Sequence, residues 1–126
     1  YACMWDEVGI LRSADALQRG LQRLQSLQAQ LARTGVADVD RAFHIGWHDW
    51  LNLQNLLAVS RVIAMSALAR EDSRGAHFRE DHPETGALDS SHFIVVRQQD
   101  TALELSREPV RFTRVSPGQS LLDQMA

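Results

Sequence analysis

Leu17-Gln18-Arg19-Gly20-Leu21-Gln22-Arg23-Leu24-Gln25-Ser26-Leu27-Gln28-Ala29-Gln30-Leu31 sets the fold class. Leucines recur here at intervals of three and four with Gln and Arg between them, which draws one apolar stripe along an α-helix. Ser13 precedes the stripe as an N-cap, and Asp15 sits in the first turn, where the positive end of the helix dipole favours a carboxylate. Thr34-Gly35 ends the segment. The stripe lasts barely two heptads, so it suits a bundle core better than a coiled-coil seam.

The segments on either side also read as helices. Tyr1 to Ile10 carries Met4, Trp5 and Val8 at helical spacing, continued by Leu11, and Gly9 weakens its end. Val36 to Ala42 reads as a polar connection or a loose turn. A third helix follows over Ile45 to Arg70, with Trp47, Leu51, Leu56, Val59, Ile63 and Leu68 spread over more than one face. Such a helix is packed on several sides. In so small a chain it is either central or keeps a second surface for another domain. Gly75 is placed to act as its C-terminal stop.

Beyond Pro83 the pattern changes. Turn residues fill Thr85-Gly86 and Asp89-Ser90-Ser91, and His92 to Val96 is β-branched and aromatic, as strands are. Thr101 to Leu105 can pair with it across Gln98-Gln99-Asp100, and the alternation over Val110 to Val115 suggests a third strand. The expected fold is mainly α. Residues 1–83 form an antiparallel three-helix bundle of the spectrin-repeat kind, ending in the loop Ser73-Arg74-Gly75-Ala76-His77. Residues 84–126 form an extended tail with a small C-terminal β-hairpin, packed on the same single domain.

Composition narrows the function classes. At 126 residues the length points to one domain with a modest core, and 44% hydrophobic with 23% charged residues is ordinary for a globular chain. A net charge of −3, with arginines scattered at positions such as Arg12, Arg19, Arg23 and Arg33, argues against nucleic acid as a partner. Cys3 stands alone, so neither an internal disulfide nor a cysteine metal cluster can form. The hydropathy pattern suggests no apolar stretch of membrane-spanning length, so no direct membrane insertion is expected. The chain shows no signal peptide and no initiating Met, and Tyr-Ala-Cys-Met-Trp reads as the middle of a helix. The expectation is a domain of something longer.

The stretch from Ser66 to Pro83 is the densest in chemistry. Arg70 and Arg74 suit the negative end of the helix dipole, with Glu71, Asp72, Glu80 and Asp81 as carboxylate partners. On spacing alone this is a solvated helix end whose surface ion pairs are worth little each. His44 and His48 lie one turn apart, and with His77 or His82 they offer a partial zinc set; no closed four-ligand pattern appears, so capping or packing of the helix start is the better reading. Asp72, Ser73 and His77 lack the strand–turn–helix elbow of a nucleophilic triad. No Gly-x-Gly-x-x-Gly is present to cradle a dinucleotide. No catalytic residue, metal or cofactor is therefore assigned to this chain.

Ser73-Arg74-Gly75-Ala76-His77, preceded by Ala67-Leu68-Ala69-Arg70 and followed by Arg79-Glu80-Asp81-His82-Pro83, resembles a known motif. It is the one that closes the helical domain of the succinate dehydrogenase/fumarate reductase flavoproteins, a family that includes L-aspartate oxidase. The family commonly has Glu where this chain has Asp72. Met4-Trp5 with Val8-Gly9-Ile10-Leu11-Arg12 resembles the family's domain opening, and Leu51 to Leu57 is similar to its central helix. A His just before a hairpin, here His92, is a further likeness. The blocks fall in family order over residues 3–97, and the last thirty or so residues match poorly.

The resemblance implies a parent flavoprotein that interconverts succinate and fumarate by hydride transfer through FAD. It implies partners too: the FAD-binding domain of the same chain, and an iron–sulfur subunit. The implied location is cytoplasmic, peripheral at the inner face of the cytoplasmic membrane through partner subunits. This domain's expected role is structural, with Arg70, Ser73, Arg74, Gly75 and His77 as candidates for the inter-domain interface. A parent of the L-aspartate oxidase or soluble fumarate reductase kind is one alternative, and a free-standing, non-catalytic helical interaction module is another. Without its partner domain, the third helix would bare an apolar face and the isolated chain would self-associate as a homo-oligomer.

Overall fold

The computed structural model describes residues 1–36, 43–100, 102–120 and 122. Three helices and two small sheets follow in the order α1 (Ala2–Val8), β1 (Leu11–Arg12), α2 (Ala14–Thr34), α3 (Ile45–Ala69), β2 (Phe78–Arg79), β3 (His92–Gln99) and β4 (Ala102–Pro109). The helical bundle with a C-terminal hairpin is the architecture the sequence led us to expect. The connection read over 37–42 lies outside the described residues.

The ends of α2 are closed as the sequence suggests. Ser13 Oγ accepts the Ala16 N–H at 3.3 Å, and the Gly35 N–H donates to Leu31 O at 3.2 Å. Leu17 and Leu24 of its stripe are buried in the core with Cys3, Val8, Leu57, Ala64 and Ala67. Removing a leucine side chain from water contributes about 1.5–3 kcal/mol. Gly20 marks where α1 crosses α2. A Cβ there would stand 3.1 Å from Val8 Cγ2 and 3.2 Å from Glu7 Cβ, so the glycine lets the two backbones approach.

α2 and α3 run antiparallel. Trp50, near the start of α3, donates its indole N–H to Leu31 O near the end of α2 at 3.2 Å. The opposite ends are joined by Arg79 and Asp81, described below. α3 buries only Leu57, Ser60, Ala64 and Ala67, all on the side that meets α2. It is therefore not a central helix, and a second apolar face is left exposed. Leu56, Val59 and Ile63 form another stripe and are 40%, 57% and 44% exposed.

Three expectations need correction. α3 is long and apolar enough to span a membrane by length and composition, contrary to the hydropathy reading. Its 25 residues extend about 37 Å at 1.5 Å each, and Asp49 and Arg61 are the only formal charges in it. Second, Gly75 does not stop α3. The helix ends at Ala69, and Gly75, at φ +58°, shapes a tight turn in which Arg74 and His77 exchange backbone hydrogen bonds. Third, Val110 to Val115 is not a strand. Pro109 closes the β3–β4 ladder opposite His92, the Val110 N–H makes a last bond to Ser91 O, and beyond it there is no neighbouring strand among the described residues. A period-2 pattern needs a partner before it becomes a strand.

The hairpin itself is longer than the sequence suggested. β3 and β4 pair antiparallel from His92↔Pro109 to Gln99↔Ala102, and Asp100 opens the turn at φ +52°, a conformation Asp tolerates. The parallel pairing of β1 with β2, Leu11↔Phe78 and Arg12↔Arg79, had no signal in the sequence.

Candidate functional site

An α-helix ends with carbonyls that have no partner inside it. At the end of α3 a single guanidinium collects three of them. Arg79 Nη1 lies 3.1 Å from Ala67 O, 3.0 Å from Leu68 O and 3.0 Å from Arg70 O. Arg107, reaching over from β4, takes Ala69 O at 2.8 Å. The helix is thus stopped by arginine, whose positive charge also suits the negative end of the dipole.

Arg79 is 1% exposed, and such a charge is stable only when paired. Its Nε and Nη2 meet Asp81 Oδ1 and Oδ2, both at 2.7 Å, in a bidentate pair. Asp81 Oδ2 also accepts the Ala14 N–H at 2.9 Å, at the first turn of α2. One ion pair therefore clasps the end of α3 to the start of α2, with each charge at the helix terminus that favours it. The hydrogen bonds from Arg79, backed by Ala14, hold the Asp81 carboxyl well below the usual carboxylate range. The same contact raises the Arg79 guanidinium.

Ser73 pins the loop around this pair. Its Oγ accepts the Arg79 N–H at 2.8 Å and lies 2.8 Å from His82 O, while its own N–H donates to Glu84 O. Asp72 bridges Arg70 and Arg74 at 3.2 and 3.1 Å. Arg70 Nη2 donates to His92 O, and Arg74 Nη1 donates to Ser91 Oγ, which ties the clasp to the hairpin. These groups line a shallow cavity of about 200 Å³. Arg74 Nε is the one buried side-chain polar atom without a partner among the described residues.

His77 completes the cluster from the other side. Its Nδ1 is 2.7 Å from Arg12 Nη1, and its Nε2 is 3.4 Å from Arg70 O. Burial, then the guanidiniums of Arg12, Arg70 and Arg79, lower its pKa, and the bond to Arg70 O opposes them. Burial also lowers the Arg12 guanidinium. Arg12 caps α1 as well, donating from Nε to Gly9 O at 2.8 Å and Val8 O at 3.3 Å.

The sequence-predicted residues Arg70, Ser73, Arg74, Gly75 and His77 thus come together in one cluster. Ser73, Asp72 and His77 face different partners and make no triad. At the far end of α3, His44 Nδ1 accepts the Trp47 N–H at 2.8 Å, the capping role weighed for it, and His48 stands edge-on to Trp47. Arg12, Arg79 and Arg107 were not singled out, and Asp81 was named only as a partner for Arg70 and Arg74, although these four do the joining. The charges at Arg79 and Asp81 were visible, but Arg12 lies 65 residues from His77, and no local pattern announces such a contact.

A loop of this kind, closing a helical bundle beside a hairpin, matches a known family model. The model described as "Fumarate reductase flavoprotein C-term" covers residues 1–121. The chain belongs to that family. Among relatives of this flavoprotein C-terminal domain, the fumarate reductase flavoprotein subunit of Mycobacterium tuberculosis is 34% identical over 94% of this chain and 20% of its own length. An L-aspartate oxidase of Streptomyces coelicolor is 38% identical over 75% of this chain and 16% of its own. In three dimensions it is similar to an E. coli quinol fumarate reductase, with a TM-score of 0.84 at 27% identity, over 94% of this chain and 21% of that one. The chain therefore spans about a fifth or less of the length of these relatives.

Proposed function

We propose that this domain is the non-catalytic scaffold of an FAD-dependent flavoprotein subunit whose whole chain interconverts succinate and fumarate by hydride transfer. The observation that carries the reading is where the polar groups of the charged loop go. Apart from Arg74 Nε, the guanidiniums of Arg70, Arg74 and Arg79, the Ser73 hydroxyl and the His77 ring are engaged within the chain. They stiffen the junction of α2, α3 and the hairpin and leave no activated nucleophile or general base.

The residues present do not fit FAD. A dinucleotide needs a glycine-rich turn opening a helix whose N-terminus is free for the pyrophosphate. The strand–helix step here, β1 to α2, has its N-terminus filled by Ser13 Oγ and the Asp81 carboxylate, which would repel phosphate. In this proposal FAD belongs to another domain of the same chain, and the present one buttresses it. The apolar stripe Leu56, Val59 and Ile63 is the core of that contact. The surface around Arg70, Ser73, Arg74, Gly75 and His77 is its rim, a polar margin of the usual kind. An iron–sulfur subunit and a peripheral place at the inner membrane face belong to the same proposal.

The test is Val59→Glu with Ile63→Glu in the full-length flavoprotein. The expected result is weaker FAD retention and a lower Tm, with an unchanged KM for dicarboxylate in the molecules that stay assembled. An altered KM at full FAD occupancy and unchanged Tm would overturn the scaffold role. The Streptomyces coelicolor likeness favours a second parent, an L-aspartate oxidase. Assaying the full-length protein with succinate and with aspartate separates the two. A chain that expressed from its own start codon and bound no flavoprotein domain would instead support the free-standing interaction module.

A further inference from the structure

His77 joins three parts of the molecule that are far apart in the sequence. It lies between Arg12 on β1 and the Arg70 carbonyl at the end of α3, and the next residue, Phe78, opens β2. A guanidinium can only donate a hydrogen bond, and a carbonyl can only accept one. The two contacts therefore fix one protonation state, with Nδ1 bare toward Arg12 and the proton on Nε2. Arg12 is held in turn by Gly9 O and Val8 O. β1 continues the junction through Leu11↔Phe78, Arg12↔Arg79 and the Glu80 N–H bond to Arg12 O at 2.8 Å.

We propose that His77 is a proton-operated latch. Protonating Nδ1 turns an acceptor into a donor that faces the donor Arg12, and so releases α1 and β1 from the loop behind α3. The charged groups around the ring all push the same way. Arg12 faces it from β1, Arg70 from the end of α3 and Arg79 from β2. Among the described residues no carboxylate hydrogen-bonds to the ring. Asp72 is committed to Arg70 and Arg74, and Asp81 to Arg79. A positive imidazolium would have no counter-charge of its own.

The sign follows from linkage. The closed latch prefers the neutral ring, whose pKa is held below the ordinary histidine value, while an open latch exposes a ring that titrates near 6.5. Protons therefore bind the open form preferentially. Opening grows as pH falls below about 6.5, by up to about tenfold per pH unit, and levels off once the closed form is protonated too.

Hydrogen–deuterium exchange on the full-length flavoprotein at pH 7.5 and 5.5, corrected for intrinsic exchange, tests this. The amides of residues 9–12 and 78–80 are expected to lose up to about tenfold in protection at the lower pH, while α2 around Leu17 to Leu24 holds. His77→Asn places Oδ1 where Nδ1 stands; it can still accept from Arg12 and does not titrate, so protection should be alike at both pH values. Arg12→Met should leave the junction open at both. Protection that ignores pH in the wild type overturns the latch, as does a full acid response in His77→Asn. If that variant fails to fold, an acid response of undiminished size in Arg12→Met overturns it equally.

Discussion

Arg79 answers two needs of the fold with one group. It satisfies three terminal carbonyls of α3 and neutralises the carboxylate that caps α2. Arg79→Met keeps the stem and removes the guanidinium, leaving those carbonyls and Asp81 without their partner. The expected cost is about 1–3 kcal/mol for leaving a buried acceptor unsatisfied, with little added by Asp81, whose side chain still meets water, read from the midpoint of urea unfolding. Arg79→Lys keeps the charge but loses the planar fork, and should recover only part of that. Asp81 supplies an acid signature. Its pKa is depressed in the fold, so its stabilisation is complete above the ordinary carboxylate pKa and fades as pH falls below about 4. Asp81→Asn should therefore lower stability at pH 7 and flatten the acid limb of the stability curve. At this scale the sequence was only partly legible. Arg70, Arg74 and their acidic neighbours stood out because they crowd one helix end. Arg79 looked like one more surface charge, since its burial is decided by how the loop turns back onto Ser73 and the carbonyls of Ala67, Leu68 and Arg70.

Elements were easier to read than the contacts between them. The leucine stripe of α2, the span of α3 and the hairpin all follow from periodicity, since each pattern needs only its own segment. What failed needed a second segment: the parallel β1–β2 pair, the group that stops α3, and the third strand that Val110 to Val115 does not form. Gly20 shows a signal that could have been used. A glycine inside a strongly periodic helix costs up to about 1 kcal/mol relative to alanine, so it is usually there for close packing. Gly20→Ala tests which effect wins. Helix propensity gains at most about 1 kcal/mol. Forcing a methyl against Val8 Cγ2 at 3.1 Å and Glu7 Cβ at 3.2 Å costs about 1–3 kcal/mol. The overpacking should dominate: α2 stays helical by far-UV circular dichroism, while Tm falls and α1 loses exchange protection.

For the whole molecule, the question is why so long and apolar a helix buries so little of itself. α3 meets α2 on one side and touches β3 on another, yet Trp47, Leu56, Val59 and Ile63 remain 40–57% exposed. Leu56, Val59 and Ile63 share one face of the helix, the surface proposed above for the partner domain. The composition of α3 serves both halves of that arrangement: Leu57, Ala64 and Ala67 face the bundle, and the second stripe faces outward. This is why its apolar residues point in more than one direction and why it also meets the length and apolarity of a membrane span. Left uncovered, the face should drive the isolated 126-residue chain to self-associate. Two causes of association can be told apart. Contacts made by the charged loop would weaken in about 0.5 M salt, where the screening length falls to a few ångströms. Contacts made by the stripe would not, because burying apolar surface does not depend on charge, and sulfate would strengthen them. The expected outcome in sedimentation experiments is association that persists or grows with salt. Val59→Glu with Ile63→Glu should disperse it and leave the helical circular dichroism of the chain unchanged, because both positions point away from the Leu17–Leu24 core. Association that dissolved in salt and survived the double substitution would move the sticky surface to the arginine-rich end of the bundle.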